Sequence, residues 1–372
     1  MTAWSDLPRE LLRMIIAGLP DPIDHARFRA VCSSWLSVPY PIKLPMVLHP
    51  TGLTGFLLRP FESAPHDIFP FPKSERVIGA TDGFIARCLI DADRNQQTYA
   101  LLNPFSRTLL ELPELDTVIG SGASESFRIH KVLMQSGLDG LVAIRTNNRN
   151  HPIILLNPRK GTVWLPRPRH RPFTRIIDVA FLGDTLYAIT QAENLISLGV
   201  TFDRQGIPTI TSIKRVITGP VVSVEKDKDA LRKRTGDYII NDGMHFADDV
   251  ERPHVVVVTI WYLVESQGKL LMVRREMQRP CGAHEGFTRK VEVFEADMSA
   301  STWVPVSSGL HGRAFFLSKR SSKSCFAGGE IEEDAIYFID NGEVFNMRSK
   351  TISPADKSFG FSAMWVFLPG SF

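Results

Sequence analysis

The string LLNPFSRTLLELP at residues 101–113 returns as LLNPRKGTVWLPRP at 155–168, with Asn103 and Asn157 at matching places. Each copy reads as an apolar strand, an Asn-Pro turn and a second apolar strand. Two more strand-like runs precede each copy. Arg76–Ala80 and Phe84–Ile90 flank the turn Thr81-Asp82-Gly83 before the first, and Phe127–Met134 and Leu141–Arg145 come before the second. Four strands repeated at roughly 50 residues is the signature of a β-propeller, because one such unit cannot bury its apolar faces alone and neighbours must stack. A two-sheet sandwich has fewer strands and no reason to repeat whole four-strand blocks.

The same grammar recurs less faithfully downstream. It is visible in IIDVAFLGDTLYAIT with NLISLGVTF, in HVVVVTIWYLVES with KLLMVRRE, KVEVFEAD and TWVPVSS, and in GRAFFLSKR with AIYFID and EVFNMRS. These make five visible units, and the period predicts about six four-stranded blades. The sixth is expected to be composite. It would join Met46–His49 and Gly55–Leu58 to Met364–Leu368, closing the ring without a free edge. The segment from about Phe202 to Asp249 repeats poorly and leaves room for an insertion.

Residues 4–38 obey a different period. Ser5 and Asp6 are good helix caps and Pro8 suits a first turn. Leu7, Leu11, Ile15 and Leu19 then recur every four residues with Leu12 and Ile16 beside them, until Gly18 and Pro20 end the stripe. After Asp21 and Pro22, the residues Phe28, Val31, Cys32 and Trp35 fall on one face of a second expected helix. So short a segment encloses too little core to stand alone, so its apolar surplus docks on the rest of the chain or on a partner. The expected fold is therefore mainly β with a small α-helical N-terminal module: residues 1–45 helical, residues 46–372 a β-propeller.

Leu7-Pro8 with Leu11, Leu12, Ile15 and Leu19, followed by Arg27-Phe28-Arg29-Ala30-Val31-Cys32 and Trp35, closely resembles the F-box. The resemblance implies a module that binds a Skp-type adaptor, and through it the cullin and RING subunits of a ubiquitin ligase. Carried over by match, Leu7, Pro8, Leu11, Leu12, Ile15, Leu19, Val31, Cys32 and Trp35, with Phe28 beside them, are the expected adaptor-binding residues. Leu36 departs from the pattern, since many members carry a basic residue there, but rim charges matter less than buried anchors. The larger region, through TDGF, LLNP, WYLVES, KLLMVRRE, VEVFEAD, TWVPVSS, GRAFFL and AIYFID, resembles the C-terminal domain of plant F-box proteins of the KIB type. Together the two imply a substrate-recognition subunit of a Skp-cullin-F-box ubiquitin ligase that captures a target protein, with no cofactor and no catalysis of its own. The alternative is a propeller that is itself a small-ligand receptor or enzyme, capped by the helical pair.

Charge does not point to another class. The 43 basic and 40 acidic residues leave a formal net charge of +3, too even to argue for nucleic-acid or membrane binding by field strength. The longest apolar run, Val255–Val264, is too short to span a bilayer, and MTAWSDLPRE lacks the look of a signal peptide, so an intracellular setting is expected. Cys32, Cys88, Cys281 and Cys325 form no C-x-x-C pair and read as reduced thiols.

Motifs for chemistry are missing: no nucleophile elbow, P-loop, H-E-x-x-H or dinucleotide fingerprint occurs. His245, Asp248, Asp249, Glu251 and His254 supply metal-ligand types but read better as a solvated loop, and Glu332, Glu333 and Asp334, which as paired carboxylates suggest acid and base catalysis, read more simply as a loop preceding the strand Ala335–Ile339. The basic, Pro-interrupted run from Arg167 to Arg175 reads as an extended exposed loop, and Glu225–Arg234 as solvated surface. Trp164, Trp261, Trp303 and Trp365 are expected to fill space between sheets. Recognition is expected at one mouth of the ring, where loops sit on a rigid scaffold.

Overall fold

The computed structural model describes residues 4–19, 22–29, 31–38, 45–51, 54–58, 75–81, 83–91, 96–103, 108–113, 115, 128–135, 140–148, 151–158, 160–164, 175–219, 255–280, 286–354 and 363–367. Trp4–Asp6 makes a single 3-10 turn, followed by α1 (Arg9–Gly18), α2 (Pro22–Arg29) and α3 (Ser33–Leu36). The caps expected at Ser5 and Asp6 are spent in the 3-10 turn. Pro8 stands at the start of α1 instead, without a side-chain cap. The second apolar face is also split, because Cys32 is fully extended and α3 restarts after it. Phe28 and Trp35 still meet across the break, with ring centroids 4.4 Å apart. Leu12, Ile16, Phe28 and Val38 form a small closed core, with Leu7, Leu19 and Trp35 packed against it.

From Met46 onward the described chain is β. Five sheets are built from consecutive strands. The first holds β3 (Glu75–Thr81), β4 (Phe84–Asp91), β5 (Gln96–Leu102) and β6 (Leu109–Leu112). The second holds β7 (Ile129–Met134), β8 (Val142–Thr146), β9 (Ile153–Asn157) and β10 (Thr162–Trp164). The third holds β11 (Ile176–Leu182), β12 (Thr185–Thr190), β13 (Leu195–Phe202) and β14 (Pro208–Ile217). The fourth holds β15 (Val255–Ser266), β16 (Lys269–Pro280), β17 (Phe287–Asp297) and β18 (Thr302–Pro305). The fifth adds a strand and changes order: β20 (Ser322–Phe326), β19 (Arg313–Leu317), β21 (Ala335–Phe338), β22 (Val344–Asn346) and β23 (Ile352–Ser353), with β19 and β21 parallel.

The expectation of about six four-stranded blades is corrected to a five-bladed propeller. The remaining sheet has three strands: β1 (Met46–Thr51) lies between β2 (Thr54–Leu58) and β24 (Met364–Val366). Early and late segments do pair, Met46 opposite Val366 and Leu48 opposite Met364, but as a closing sheet rather than a full blade. The period misleads because it divides the chain into equal units, whereas the sheets hold three, four or five strands.

Apolar layers fill the seams between neighbouring sheets. Leu101 and Leu115 meet Val132 and Ile144 at the first seam, Leu155 meets Leu186 and Leu198 at the second, and Leu195 meets Leu263 and Met272 at the third. Phe315 and Phe338 pack on Tyr262 and Val273 at the fourth, and Phe316 stacks on Tyr337 and edge-on to Trp365 at the closing seam. The tryptophans act between sheets as expected: Trp261 and Trp303 both donate to Glu193, and Trp365 donates to the Leu317 carbonyl. The side chain of Trp164 lies outside the described residues.

Candidate functional site

Helix α1 is apolar on two faces. Leu12 and Ile16, four apart, point into the module's core, whereas Leu11, Met14 and Ile15 share the opposite, solvent-facing side. Met14 is 71% exposed and Leu11 46%. Val31, between α2 and α3, is 55% exposed, and Leu36 is open as well. Of the expected adaptor-binding residues, Pro8, Leu11, Ile15 and Val31 are therefore on the surface; Leu7, Leu19, Cys32 and Trp35 are half-buried; Leu12 and Phe28 are interior. Trp35 is held by its indole N–H, which donates to the Trp4 carbonyl at 3.0 Å, and Arg9 ties α1 to the Ser37 carbonyl. Sequence reasoning misses Met14, although its spacing from Leu11 marks it as a neighbour on that face.

The propeller axis carries charge. Lys131 and Asp178 are buried side by side, Nζ to Oδ1 at 2.7 Å. Asp178 also accepts the backbone N–H groups of Val179 and Leu263, so one carboxylate joins the second, third and fourth blades. Burial lowers the Lys131 pKa against the pull of Asp178. Arg275, fully buried, donates to Thr288, Asp340, Asn341 and Glu343 and lies 3.9 Å over the Phe338 ring, joining the fourth and fifth blades. Arg145 reaches the Ile176 carbonyl and Arg320 the Val77 carbonyl, each crossing to another sheet.

The inner strands β3, β7, β11, β15, β20 and β24 surround the axis. Where they end, a cavity of about 330 Å³ opens, walled by Phe84, Met134, Phe181 and Phe367, with Lys131 at its lining and Gln135 and Lys323 at its rim. Of the serines that line it, Ser324 is tied to Ser266 and Arg313, and Ser321 to Ser318. Burial pushes the Cys325 thiol up to about 12, so it stays protonated at neutral pH. Among the described residues no His, Cys, Asp or Glu cluster could hold a metal, and no helix is long and apolar enough to cross a membrane. The His245–His254 cluster, the Glu225–Arg234 run, Cys281 and the Arg167–Arg171 stretch lie outside the described residues. Asp334 is buried, accepts the Leu310 N–H and pairs with Arg348.

Residues 57–361 match the KIB1-4 beta-propeller, most of the chain. The chain belongs to that family. Residues 4–38 match the F-box domain, so the helical module is an F-box joined to a KIB1-4 propeller, the layout of an F-box substrate adaptor. F-box domains generally bind Skp-type adaptors, and the two domains fit a non-catalytic role. No curated protein matches the chain. Among solved structures, the N-terminal domain of Nup159 is 7% identical over 87% of this chain and 78% of its own, with a TM-score of 0.37. A chain from an S. cerevisiae complex of a Dbp5 variant with Nup159, a Gle1 variant, IP6 and ADP is 8% identical over 87% of this chain and 77% of its own, with a TM-score of 0.34. Likenesses so faint carry no weight beside the KIB1-4 assignment.

Proposed function

We propose that this chain is the substrate-recognition subunit of a Skp-cullin-F-box ubiquitin ligase. Its F-box face engages a Skp-type adaptor and its propeller holds a target protein, so that ubiquitin is delivered by proximity and this chain forms no covalent bond. One observation carries the reading: the module's core is already closed by Leu12, Ile16, Phe28 and Val38, yet Leu11, Met14, Ile15 and Val31 remain open to solvent. Apolar side chains gathered on one small module are the anchor type that adaptor grooves desolvate. Pro8, Leu7, Leu19, Cys32 and Trp35 would border those anchors, while Leu12 and Phe28 would hold the scaffold beneath them. Calorimetric titration of a Skp-type adaptor into the full chain tests this. Binding that is lost in a Leu11→Asp, Val31→Asp variant supports the proposal; equal affinity, or no binding to the wild type, removes it.

A further inference from the structure

The cavity where the inner strands end has apolar walls and two polar groups with bonding capacity to spare. Phe84, Met134 and Phe181 line it half-buried, and Phe367 lines it buried. The first polar group is Lys131. Among the described residues its ammonium makes one hydrogen bond, to Asp178 Oδ1 at 2.7 Å, although it carries three donors. Val179 and Leu263, whose backbone N–H groups bond the same carboxylate, line the cavity together with Lys131. The ion pair therefore lies at the cavity floor.

The second is Ser322, on β20. It also lines the cavity, and its Oγ is buried with no hydrogen-bond partner, whereas Ser321 and Ser324 beside it are bonded within the fold. A buried hydroxyl left unbonded costs stability and is rare in folded proteins, so its position calls for an acceptor from outside the fold. Charge narrows what that acceptor belongs to. Lys131 is already matched by Asp178, and at the cavity edge Glu265 and Lys323 have opposite signs. Lys323 Nζ lies 5.3 Å over the Phe367 ring, and Glu265 accepts the Gly268 N–H. An anion reaching the floor would be buried beside Asp178, and a cation beside Lys131, each without a new counter-charge.

We propose that this cavity binds an uncharged small molecule with an aromatic body and a carbonyl oxygen, the body against the Phe84, Phe181 and Phe367 rings and the oxygen toward Lys131 and Ser322. A carbonyl oxygen has two lone pairs, so one atom can serve both donors. The volume of about 330 Å³ falls within the usual size of small-molecule sites, which join apolar walls to a few placed polar groups. The site belongs to the propeller and is independent of the adaptor reading above, so each can fail while the other stands.

The test is a titration of the full chain with acetophenone, followed by the methionine methyl resonances. Benzoate supplies the charged counterpart and ethylbenzene the same shape without an acceptor. Acetophenone should shift the Met134 methyl saturably and leave that of Met14, on the F-box, in place. Ethylbenzene should bind about fivefold more weakly and benzoate about tenfold or more. Ser322→Ala should weaken acetophenone about fivefold with no fall in melting temperature, since the hydroxyl bonds nothing in the fold. Ile213→Ser, on the outer strand β14, should leave binding unchanged. The proposal is overturned by the absence of a saturable Met134 shift, or by ethylbenzene or benzoate binding as tightly as acetophenone. Undiminished affinity in Ser322→Ala overturns it as well, and so does a lower melting temperature, which would mean that the hydroxyl is already bonded inside the protein.

Discussion

The helical module leaves Leu11, Met14, Ile15 and Val31 open to solvent, whereas the propeller closes over Lys131, Asp178, Arg275 and Glu193. The difference follows from size and construction. A module with four buried apolar side chains has no interior left for more, so its surplus stays outside. A propeller has apolar seams to spare, and uses buried ionic groups where blades must be held in register across the axis. Exposed apolar surface therefore points to a partner outside the chain, while the buried charges have their partners inside it.

The sharpest way to break this contrast is Arg275→Ala. It takes the guanidinium away from Asp340 and Glu343 at a blade seam and should cost about 3–5 kcal/mol of stability in urea unfolding, with adaptor affinity untouched. A change well under 1 kcal/mol would mean that the buried charge is not holding the blades together. The module should behave in the opposite way. Leu11→Asp with Val31→Asp should lose about 2 kcal/mol or more of adaptor binding, roughly thirtyfold, while unfolding shifts by about 0.5 kcal/mol or less. Trp35→Ala sharpens the boundary, because Trp35 both packs on Phe28 and borders the open face. It should lower adaptor affinity by about 2 kcal/mol and also destabilise the module, visible as earlier proteolysis of residues 4–38.

The smallest expected effect is a pH slope. His130 titrates at about 3 in the fold against 6.5 ordinarily, so between those values the unfolded chain binds a proton that the folded chain does not. That contribution to stability is complete above pH 6.5 and is lost as pH falls toward 3. Urea midpoints at about pH 7 and about pH 4.5 should differ more for the wild type than for His130→Gln, and equal differences would mean that burial does not hold His130 neutral in the fold.

The hairpins β5–β6 and β9–β10 were legible because the LLNP copies put apolar runs on both sides of a turn. Strand β14 was not. Its sequence PTITSIKRVI is an outer strand with most side chains half-buried or exposed, so it carries little apolar alternation. Strand β20, SKSCF, was missed for another reason: it sits innermost, and its serines bond to polar partners, as in Ser324 with Ser266 and Arg313. The apolar stripe of the F-box was readable residue by residue, but which half of it faces inward was not, because Leu11 and Leu12 are alike until the second helix is placed. Asp178 is a single charge in an apolar strand, the kind of exception that marks a seam, whereas Arg275 stands between Arg274 and Glu276, and nothing in the sequence separates the buried cation from its neighbours.

The strand β1, held on one side by β2 and on the other by β24, is also the strand that follows the F-box in the chain. Met46 comes eight positions after Val38, a tether of at most about 28 Å. Any tug from an assembly gripping the F-box enters the propeller at Met46, and a pull along β1 is shared by hydrogen bonds to both neighbours at once. The ring thus takes mechanical load in shear at its closing sheet, and the Met364–Val366 segment serves as the bolt: clipped away, it leaves β1 hanging from one side, free to peel bond by bond.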